Sequence, residues 1–405
     1  MRIALISYEF PPDTGKGGIG TYTYQLAILL AHHNIDVHVF AGTAKESYHQ
    51  ELQKVFIHKV NCKDPFDFRE KVVSVFSKVH YIKAFDIIES PEIHSNAFEI
   101  KKKFPLLPLI VRLHAPNYLV ECFKKKYTPF FQKIRFVIGA LRRGKLDYGY
   151  WRKYDYVNDN DYKFAQIADI ITAPSNIMKL WAVKNWHILP AHIEVIPNPF
   201  IPSNALLELS IKEKVDNKEI IFFGRLNVLK GLVNGTLAMK KILIEFPEYH
   251  FTIIGDDGAG PKLGESMKQW MQKKLKKVNN QVSFFAGQEY GHLPLLISNA
   301  SIVLLPSLFE SFSYTCAEAM ASGKVVVGSL GTGMENMIVH NYNGFLINAE
   351  SHKNIYEAVK TLIENNSLRY SLSVNARKSI HTFFNSEVLA QQYIQHYKKI
   401  AAVNG

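Results

Sequence analysis

The sequence predicts an α/β protein with two doubly wound, Rossmann-like domains that face a cleft. Short runs of β-branched and other apolar residues recur along the chain, and most are apolar throughout, as in strands covered on both faces of a parallel sheet. Helical stretches lie between many of these runs, which is typical of successive right-handed βα units. The pattern starts again near Glu219 after a polar connector, and this restart indicates a second domain of the same kind.

The elements follow one another in a regular order. The strands predicted in the first half are Ile3–Ser7, Val37–Phe40, Val55–Val60, Ile87–Glu89, Leu109–Leu113, Ile170–Ala173 and Glu194–Ile196. Those in the second half are Ile220–Phe223, Phe251–Ile254, Val282–Phe285, Ile302–Leu305, Val325–Val327 and Phe345–Ile347. The clearest helices are Tyr22–Ala31, Leu232–Ile244, Met267–Lys277, Ala317–Ala321 and an amphipathic tail, Ser386–Val403, and the connector Asn204–Lys218 is helix-like. We expect domains over residues 1–198 and 199–380 and a C-terminal helix over 381–405, with packing back on the first domain as one option.

Composition excludes several classes of protein. A chain of 405 residues with 47% hydrophobic residues can bury sizeable cores, so general disorder is excluded. The three cysteines stand far apart, which favours neither a disulfide framework nor a zinc site and fits a reducing compartment. We see no signal peptide and no apolar run long enough for a membrane span. We therefore expect a cytoplasmic protein, with peripheral attachment to the cytoplasmic membrane face as an option.

Two loops carry groups that suit a phosphate. The first strand runs into a glycine-rich loop that contains Gly17 and Gly18 and then into a helix, where backbone amides can approach an anion. Spacing excludes a P-loop, and a plain tight turn is the alternative. In the second half, Arg225 follows a strand and Lys230 comes five residues later, before a helix. Two cations there suit a diphosphate, and a surface pair neutralised by carboxylates is the alternative.

A carboxylate pair marks the end of a later strand. Glu310 lies in the loop after the strand, and Glu318 lies about two turns along the following helix. Eight residues of helix span roughly 12 Å, so the two acids could bracket the sugar and ribose ends of a nucleotide sugar. The amides of Ser311, Phe312 and Ser313 would then face the diphosphate. The alternative, a helix-start acid and a solvated acid, fits Glu318 poorly because its neighbours in sequence are apolar.

Together these residues resemble glycosyltransferase family 4, among the retaining glycosyltransferases of GT-B fold (glycosyl transferases group 1). The glutamate pair, Gly224-Arg225 with Lys230-Gly231 and the loop Gly17–Gly20 are similar to motifs of that family. The resemblance covers about residues 1 to 350 and extends to the interdomain segment Val195–Asn198 and to Gly331–Glu335. Ser313 departs from the family's usual glycine, and Asn198-Pro199 departs from its usual Asn-Gly.

The resemblance implies a role for each matched residue. Glu318 would bind the ribose hydroxyls and Glu310 the hydroxyls of the transferred sugar. Arg225 and Lys230 would neutralise the leaving diphosphate, with amides near Gly18 closing over it. His114, which follows an N-domain strand, would lie near the anomeric centre, and a packed strand-end histidine is the alternative. The resemblance implies no cofactor and no metal, and we interpret Asp159-Asn160-Asp161 as a solvated loop or helix start.

Most of the excess positive charge lies in one segment. The formal net charge is +12, and residues 99–155 alone carry +10. Within this segment, Phe130 and Phe131 share one helical face with Ile134, Val137, Ile138 and Leu141. The basic and aromatic residues that would form a membrane or acceptor surface are Lys124, Lys125, Lys126, Phe130, Phe131, Arg142 and Arg143. A basic amphipathic helix of this kind can lie in an anionic membrane interface, and an ordinary helix covering the sheet is the alternative.

The main hypothesis is a retaining hexosyltransferase that uses a nucleotide-diphosphate sugar, which we expect to be UDP-linked. Its acceptor would be a glycan or a lipid-linked molecule in the synthesis of cell-envelope polysaccharide or glycolipid. The rivals are a nucleic-acid or membrane binding protein with a basic surface, and a GT-B phosphorylase or epimerase. We expect no nucleic-acid partner, because no DNA or RNA module is visible.

Overall fold

The computed structural model describes residues 1–15, 17–146, 149–151, 154–211, 218–287 and 293–403, without the side chains of Lys124 and Val403. The chain forms two compact units. The first contains Met1–Tyr118, Asp155–Ile201 and the C-terminal segment from Phe384, and the second contains Leu119–Tyr154 and Pro202–Phe383.

Each unit is built on one predominantly parallel sheet. The strands of the first unit are β1 (Arg2–Ile6), β2 (Asp36–Thr43), β3 (Tyr48–Leu52), β4 (Val55–Asn61), β5 (Ile87–Pro91), β6 (Leu109–Arg112), β7 (Ile170–Ala173) and β8 (Ile193–Val195), in the spatial order β3-β4-β2-β1-β5-β6-β7-β8. The strands of the second unit are β9 (Glu219–Phe223), β10 (His250–Ile254), β11 (Val282–Phe285), β12 (Ile302–Leu304), β13 (Val325–Ser329) and β14 (Phe345–Ile347), in the order β11-β10-β9-β12-β13-β14. Only β3 pairs antiparallel among these strands.

Helices connect the strands. In chain order they are α1 (Gly18–His32), α2 (Pro65–Ile82), α3 (Phe98–Lys103), α4 (Asn117–Tyr127), α5 (Phe130–Arg142), α6 (Asn160–Gln166), α7 (Asn176–Trp186), α8 (Asn204–Leu207), α9 (Leu232–Glu245), α10 (Met267–Leu275), α11 (Leu293–Ser298), α12 (Tyr314–Ala321), α13 (His352–Glu364), α14 (Asn366–Phe383) and α15 (Ser386–Val403). Local sequence explains several helix starts. Asp64 caps α2 through the amides of Phe66 and Asp67, with Pro65 in the first turn, and Ser266 forms a capping box with Gln269 at α10.

The predicted fold is confirmed strand by strand. All of the strands predicted from apolar runs are present, because parallel strands covered on both faces need continuous apolar sequence. Strand β3 was not predicted, because it is an edge strand of largely exposed, mainly polar residues and carries no such run. Of the helix-like connector 204–218, Asn204–Leu207 is helical, and residues 212–217 lie outside the described part of the chain.

The C-terminal helix α15 belongs to the first unit. Its Tyr393 hydroxyl donates to the carbonyl of Pro197 at 2.8 Å, and its Tyr397 hydroxyl donates to the Glu89 carboxylate at 2.6 Å. His396 pairs with Glu194 at 2.7 Å. These polar contacts join the end of the chain to β5 and to the segment around β8.

Residues 119–154, which we expected in the first domain, are grouped with the second unit. Three contacts place them there: the Phe123 ring lies 6.4 Å from the Phe309 ring, Lys126 pairs with Glu350, and Gln132 accepts from the Leu263 amide at 3.0 Å. Within the described residues, no helix combines the length and the apolar character that crossing a membrane requires.

Candidate active site

The backbone packs closely where the strands of the second unit end. Gly224 and Gly255, which follow β9 and β10, have φ of +140° and +154°. A Cβ added at Gly255 would lie 1.9 Å from the carbonyl oxygen of Gly224. Gly231, at the start of α9, has φ of +65°, and a Cβ there would lie 1.6 Å from the carbonyl oxygen of Pro306. Only glycine fits these positions, so the loop after β9 lies directly against the loop after β12.

This packing brings Lys230 and Glu310 together. The Lys230 ammonium donates to the Glu310 carboxylate, and both side chains are partly buried. The Ser307 hydroxyl donates to the same carboxylate oxygen at 3.0 Å. Asn227 holds the backbone of Lys230 by accepting from its amide at 3.1 Å. Two predicted residues that are 80 positions apart in sequence therefore form one charged pair.

Arg225 differs from Lys230. Its side chain is exposed, and no carboxylate within the described ranges pairs with it. The alternative interpretation of these cations as a neutralised surface pair therefore fits Lys230 but not Arg225. The Arg225 guanidinium is available to an anion at the carboxyl end of β9.

Glu318 is a buried acid on α12. It is only 6% exposed, and its carboxylate has no hydrogen-bond partner among the described residues. Burial raises the pKa of Glu318 to about 8, because the charged form is poorly solvated there. The alternative of a solvated position is wrong for Glu318. A buried carboxylate without a partner is costly, and a ligand that donates hydrogen bonds would relieve that cost.

Hydrogen bonds and close backbone packing hold the segment between Glu310 and Glu318 in place. Ser313 caps α12 by accepting from the amide of Cys316 at 3.3 Å, so the helix begins where it was expected. The Ser313 backbone has φ of −120°, which any residue adopts, so the departure from the family's glycine causes no strain. The amide of Gly333 donates to the Glu310 carbonyl at 2.7 Å, and a Cβ at Gly333 would lie 2.2 Å from the Ser311 carbonyl. Phe312 is buried.

In the first unit, α1 begins at Gly18 and Gly17 is its N-cap residue. The first turn of α1 contains no acidic side chain of its own, but the Glu9 carboxylate accepts from the Gly20 amide at 3.4 Å, so one anionic group already lies at this N-terminus. A Cβ at Gly18 would meet nothing within 4 Å, so packing does not require glycine there. Gly15, with φ of +70°, and Gly20, where a Cβ would lie 2.6 Å from the Gly15 carbonyl oxygen, are positions where glycine is required. Lys16 lies outside the described residues.

His114 is at the carboxyl end of the same sheet, after β6, and is buried. Its amide donates to Glu92 at 2.8 Å, and its Nδ1 lies 3.3 Å from the other Glu92 oxygen and 3.1 Å from the Arg112 carbonyl. The Tyr22 ring stands edge-on to the imidazole at 5.2 Å. His114 Nε2 is buried without a hydrogen-bond partner in the described structure.

Arg112 holds Asn198, the residue that precedes the second departure from the family pattern. The Arg112 guanidinium donates to the Ile196 carbonyl at 2.7 Å and to the Asn198 side chain at 2.5 Å. The Arg112 side chain also lies over the Tyr22 ring, 4.8 Å from its centroid. Asn198 is therefore a fixed, buried residue of the first unit, and the segment before Pro199 is anchored to β6.

The segment Asp159-Asn160-Asp161 lies at the start of a helix. Asp159 caps α6, as the helix-start interpretation has it, but Asp161 is buried and accepts from Asn117 at 3.0 Å. Burial raises the pKa of Asp161 to about 7. In the part of the chain that the structure describes, no three His, Cys, Asp or Glu side chains are placed to hold a metal ion.

The basic segment forms the helix pair α4 and α5. Phe130 and Phe131 are 64% and 83% exposed, and Ala140 is the buried residue of α5. Arg142 and Arg143 are exposed, Lys125 is partly exposed, and Lys126 pairs with Glu350. The side chain of Lys124 lies outside the described residues. The apolar face of α5 thus remains largely uncovered.

The predicted residues form two sets, one on each unit. Arg225, Lys230, Glu310–Ser313 and Glu318 lie at the carboxyl edge of the second sheet, and Gly17, Gly18 and His114 lie at that of the first. Sequence reasoning missed Glu92 and Ser307. Glu92 carried a usable signal, because it follows a predicted strand that neighbours the strand before His114.

Two family models match the chain. Glycosyltransferase Family 4 matches residues 16–203, and Glycosyl transferases group 1 matches residues 208–379. Together they span both units.

Individual proteins are similar over different lengths. The chain is 23% identical to the N,N'-diacetylbacillosaminyl-diphospho-undecaprenol alpha-1,3-N-acetylgalactosaminyltransferase of Campylobacter jejuni. The alignment covers 99% of each of the two chains. An uncharacterized glycosyltransferase of Methanocaldococcus jannaschii is 28% identical over 51% of this chain. In this alignment the chain spans about half of that relative's length (54%).

Solved structures share the whole fold. Sucrose-phosphate synthase from Thermosynechococcus elongatus superposes with a TM-score of 0.73 at 18% identity, covering 99% of both chains. Anabaena HepE in complex with UDP gives a TM-score of 0.66 at 17% identity, covering 98% of this chain and 100% of that one. At these identities the likeness shows a shared fold.

Proposed function

The chain is a GT-B glycosyltransferase of family 4, and from that premise we propose that it moves a hexose from a nucleotide-diphosphate sugar to a glycan or lipid-linked acceptor, with retention of configuration. The observation that carries the proposal is the cluster at the carboxyl edge of the second sheet. There two cations, Arg225 and Lys230, lie with one paired acid, Glu310, and one buried acid, Glu318, which has no partner in the described ranges of the chain.

The cations would act on the leaving group. Breaking the bond between the anomeric carbon and the diphosphate places negative charge on the diphosphate, and fixed positive charge stabilises the transition state by roughly 3 kcal/mol per contact. Among the described residues, no carboxylate pairs with Arg225 and would have to be exchanged for the diphosphate, whereas Lys230 already has Glu310. The first-turn amides of α1, near Gly17 and Gly18, are proposed to bind the same group.

The acids would bind hydroxyls. Glu318 is proposed to accept from the two ribose hydroxyls, which supply the hydrogen bonds its buried carboxylate lacks. Glu310, held by Ser307, is proposed to accept from hydroxyls of the transferred sugar. His114 is proposed to lie near the anomeric centre.

Retention is proposed to follow from attack on the same face that the diphosphate leaves. The anomeric carbon–oxygen bond to the diphosphate breaks, the acceptor oxygen bonds to that carbon, and the acceptor proton passes to an oxygen of the leaving phosphate. No metal is part of this proposal. We expect turnover to be unchanged by excess EDTA, and loss of turnover that Mg²⁺ restores would require a metal in the mechanism.

The donor is proposed to be UDP-linked, and the complex of HepE with UDP supports testing that base first. We would screen UDP-, GDP- and ADP-linked hexoses for protection against thermal unfolding and then analyse products by mass spectrometry. Transfer to an added acceptor, with the new linkage in the donor's anomeric configuration, is expected. Sugar 1-phosphate formed from added phosphate, or an epimerised nucleotide sugar, would instead support a phosphorylase or an epimerase.

The acceptor is proposed to be lipid-linked and to be reached from an anionic membrane surface. The Campylobacter jejuni relative is named for a diphospho-undecaprenol-linked acceptor. In this chain, the exposed face of α5 combines Phe130, Phe131 and Ile138 with Arg135 and Arg142. Apolar side chains that enter the interface beside basic ones that meet anionic headgroups are typical of peripheral helices.

Vesicle flotation tests the membrane surface. Wild-type protein should float with vesicles that contain phosphatidylglycerol and less with pure phosphatidylcholine. Replacing both Phe130 and Phe131 with Ser should weaken binding roughly tenfold, because apolar area enters the interface. The control is a second double variant, Lys276→Gln with Lys277→Gln. It removes the positive charge of two exposed lysines after α10 and so measures the effect of general surface charge on binding. Equal binding by all three proteins would remove the membrane from the proposal, and a salt-dependent, sequence-selective gel shift would favour nucleic acid.

A further inference from the structure

Glu92 is a buried acid that the proposed chemistry does not yet use. It directly follows β5, its side chain is 0% exposed, and its amide donates to the Arg112 carbonyl at 3.2 Å. The backbone just after it is unusual, since His94 and Ser95 have φ of +62° and +51°. Such conformations cost about 1–3 kcal/mol each in non-glycine residues and cluster at functional sites.

The carboxylate of Glu92 faces His114 with both oxygens. One oxygen accepts from the His114 amide at 2.8 Å, and the other lies 3.3 Å from Nδ1. The second neighbour of Nδ1, at 3.1 Å, is the carbonyl oxygen of Arg112. Both neighbours of Nδ1 are acceptors, so Nδ1 must carry the hydrogen.

The other ring nitrogen is then a hydrogen-bond acceptor when the imidazole is neutral and a donor when it is protonated. In the neutral imidazole with hydrogen on Nδ1, Nε2 presents its lone pair. Nε2 is buried and has no partner among the described residues. The Tyr22 ring, edge-on at 5.2 Å, restricts rotation of the imidazole, and the Tyr22 hydroxyl donates to Glu89. The ring is thus held with an unsatisfied acceptor.

We propose that Glu92 is a positioning residue that fixes the Nδ1–H tautomer of His114, so that Nε2 accepts a hydrogen bond from a hydroxyl group of the substrate. This inference rests on the proposed function for its substrate class. It assigns the direction of the bond: the ligand donates and His114 accepts. The diester phosphates of the intact nucleotide sugar carry no hydrogen at neutral pH and cannot fill that role, whereas a sugar hydroxyl can.

Long-range ¹H–¹⁵N correlation spectra of the histidine rings report the tautomer directly. Assigned with His114→Asn, the wild-type spectrum should show hydrogen on Nδ1 and a bare Nε2 near neutral pH. Hydrogen on Nε2 would overturn the inference whether or not sugar transfer is observed. The prediction of the tautomer can therefore fail independently of the proposed function, which product analysis tests.

Glu92→Gln supplies the mutational test. The glutamine oxygen can still accept from the His114 amide, but its NH₂ group then faces Nδ1 and favours hydrogen on Nε2. We expect a mixed or reversed tautomer and a fall in kcat of about 10- to 1000-fold, with a small change in KM for the donor. A fall in kcat with the wild-type tautomer retained would show that Glu92 acts only structurally, and an unchanged kcat would also refute the inference.

Two further variants separate positioning from folding. Glu92→Asp keeps the charge and should restore part of the tautomer and of kcat. Tyr22→Phe keeps the ring against His114 but removes the hydroxyl bonded to Glu89, so it should retain the tautomer. Thermal unfolding of each variant checks the fold. If Glu92→Gln does not fold, hydrogen on Nε2 in the wild-type spectrum still refutes the inference.

Discussion

Donor binding should depend on pH through Glu318. Burial raises the pKa of this carboxyl to about 8, so at pH 7 only about one molecule in ten holds it ionised. The ribose hydroxyls would donate to the ionised form. Each pH unit below 8 therefore costs about 1.4 kcal/mol, and the donor Kd should be about tenfold higher at pH 7 than its limit above pH 8. The two phosphates of a nucleotide sugar are diesters and do not titrate here.

Isothermal titration calorimetry with the nucleotide sugar found in the screen, between about pH 6 and 8.5, measures this dependence. Wild-type affinity should rise with pH, with proton release on binding at pH 7 that buffers of different ionisation enthalpy reveal. Glu318→Gln cannot ionise and should bind with little dependence on pH. At the highest pH of this range, Glu318→Gln should bind the donor more weakly than wild type by roughly 1.5–3 kcal/mol, the scale of a charge-assisted hydrogen bond.

The same substitution should stabilise the unliganded protein. The folded state keeps the Glu318 proton up to about pH 8, whereas an unfolded glutamate, with its ordinary pKa of 4.5, releases the proton near that pH. Between these values the unfolded state binds fewer protons, so stability falls as pH rises, by about 3 kcal/mol at pH 7. Glu318→Gln should recover up to that amount in urea unfolding. A wild-type affinity independent of pH, or a parallel slope in Glu318→Gln, would refute the ribose assignment.

Three other perturbations test separate parts of the structure. Arg225→Ala should lower kcat more than it raises the donor KM, because its free guanidinium would act on the leaving group, and equal small changes in steady-state kinetics would count against that role. Gly231→Ala should lower the free energy of urea unfolding by more than about 2 kcal/mol, because a Cβ would clash with a backbone carbonyl, and Gly18→Ala, with open space, is the control. Burial lowers the pKa of His38 to about 4 and of His58 to about 3, so stability should fall as pH drops from about 6.5 towards 4, and His58→Phe should flatten this pH dependence of the urea midpoint.

Much of the candidate site could be predicted because its residues stand directly after apolar runs. Arg225, Glu310 and His114 each follow a predicted strand, and strand ends of parallel sheets gather at one edge. Glu92 was missed because its strand was predicted to end at Glu89, before Pro91, although it stands at the same edge. The ion pair of Lys230 with Glu310 could not be foreseen, because it depends on how two loops pack.

The two α/β sheets and the candidate residues at their carboxyl edges follow from the amino-acid sequence alone, because continuous apolar runs and residue types are local properties of the chain. The tertiary structure decided three further points. Within the part of the chain that the structure describes, it left Glu318 buried without a partner and paired Lys230 but not Arg225, and it grouped residues 119–154 with the second unit. These depend on desolvation and on contacts between distant segments. The net charge of +12 is a further example. Its concentration in residues 99–155 can be counted from the sequence, whereas the exposure of Phe130 and Phe131 in the same segment depends on packing.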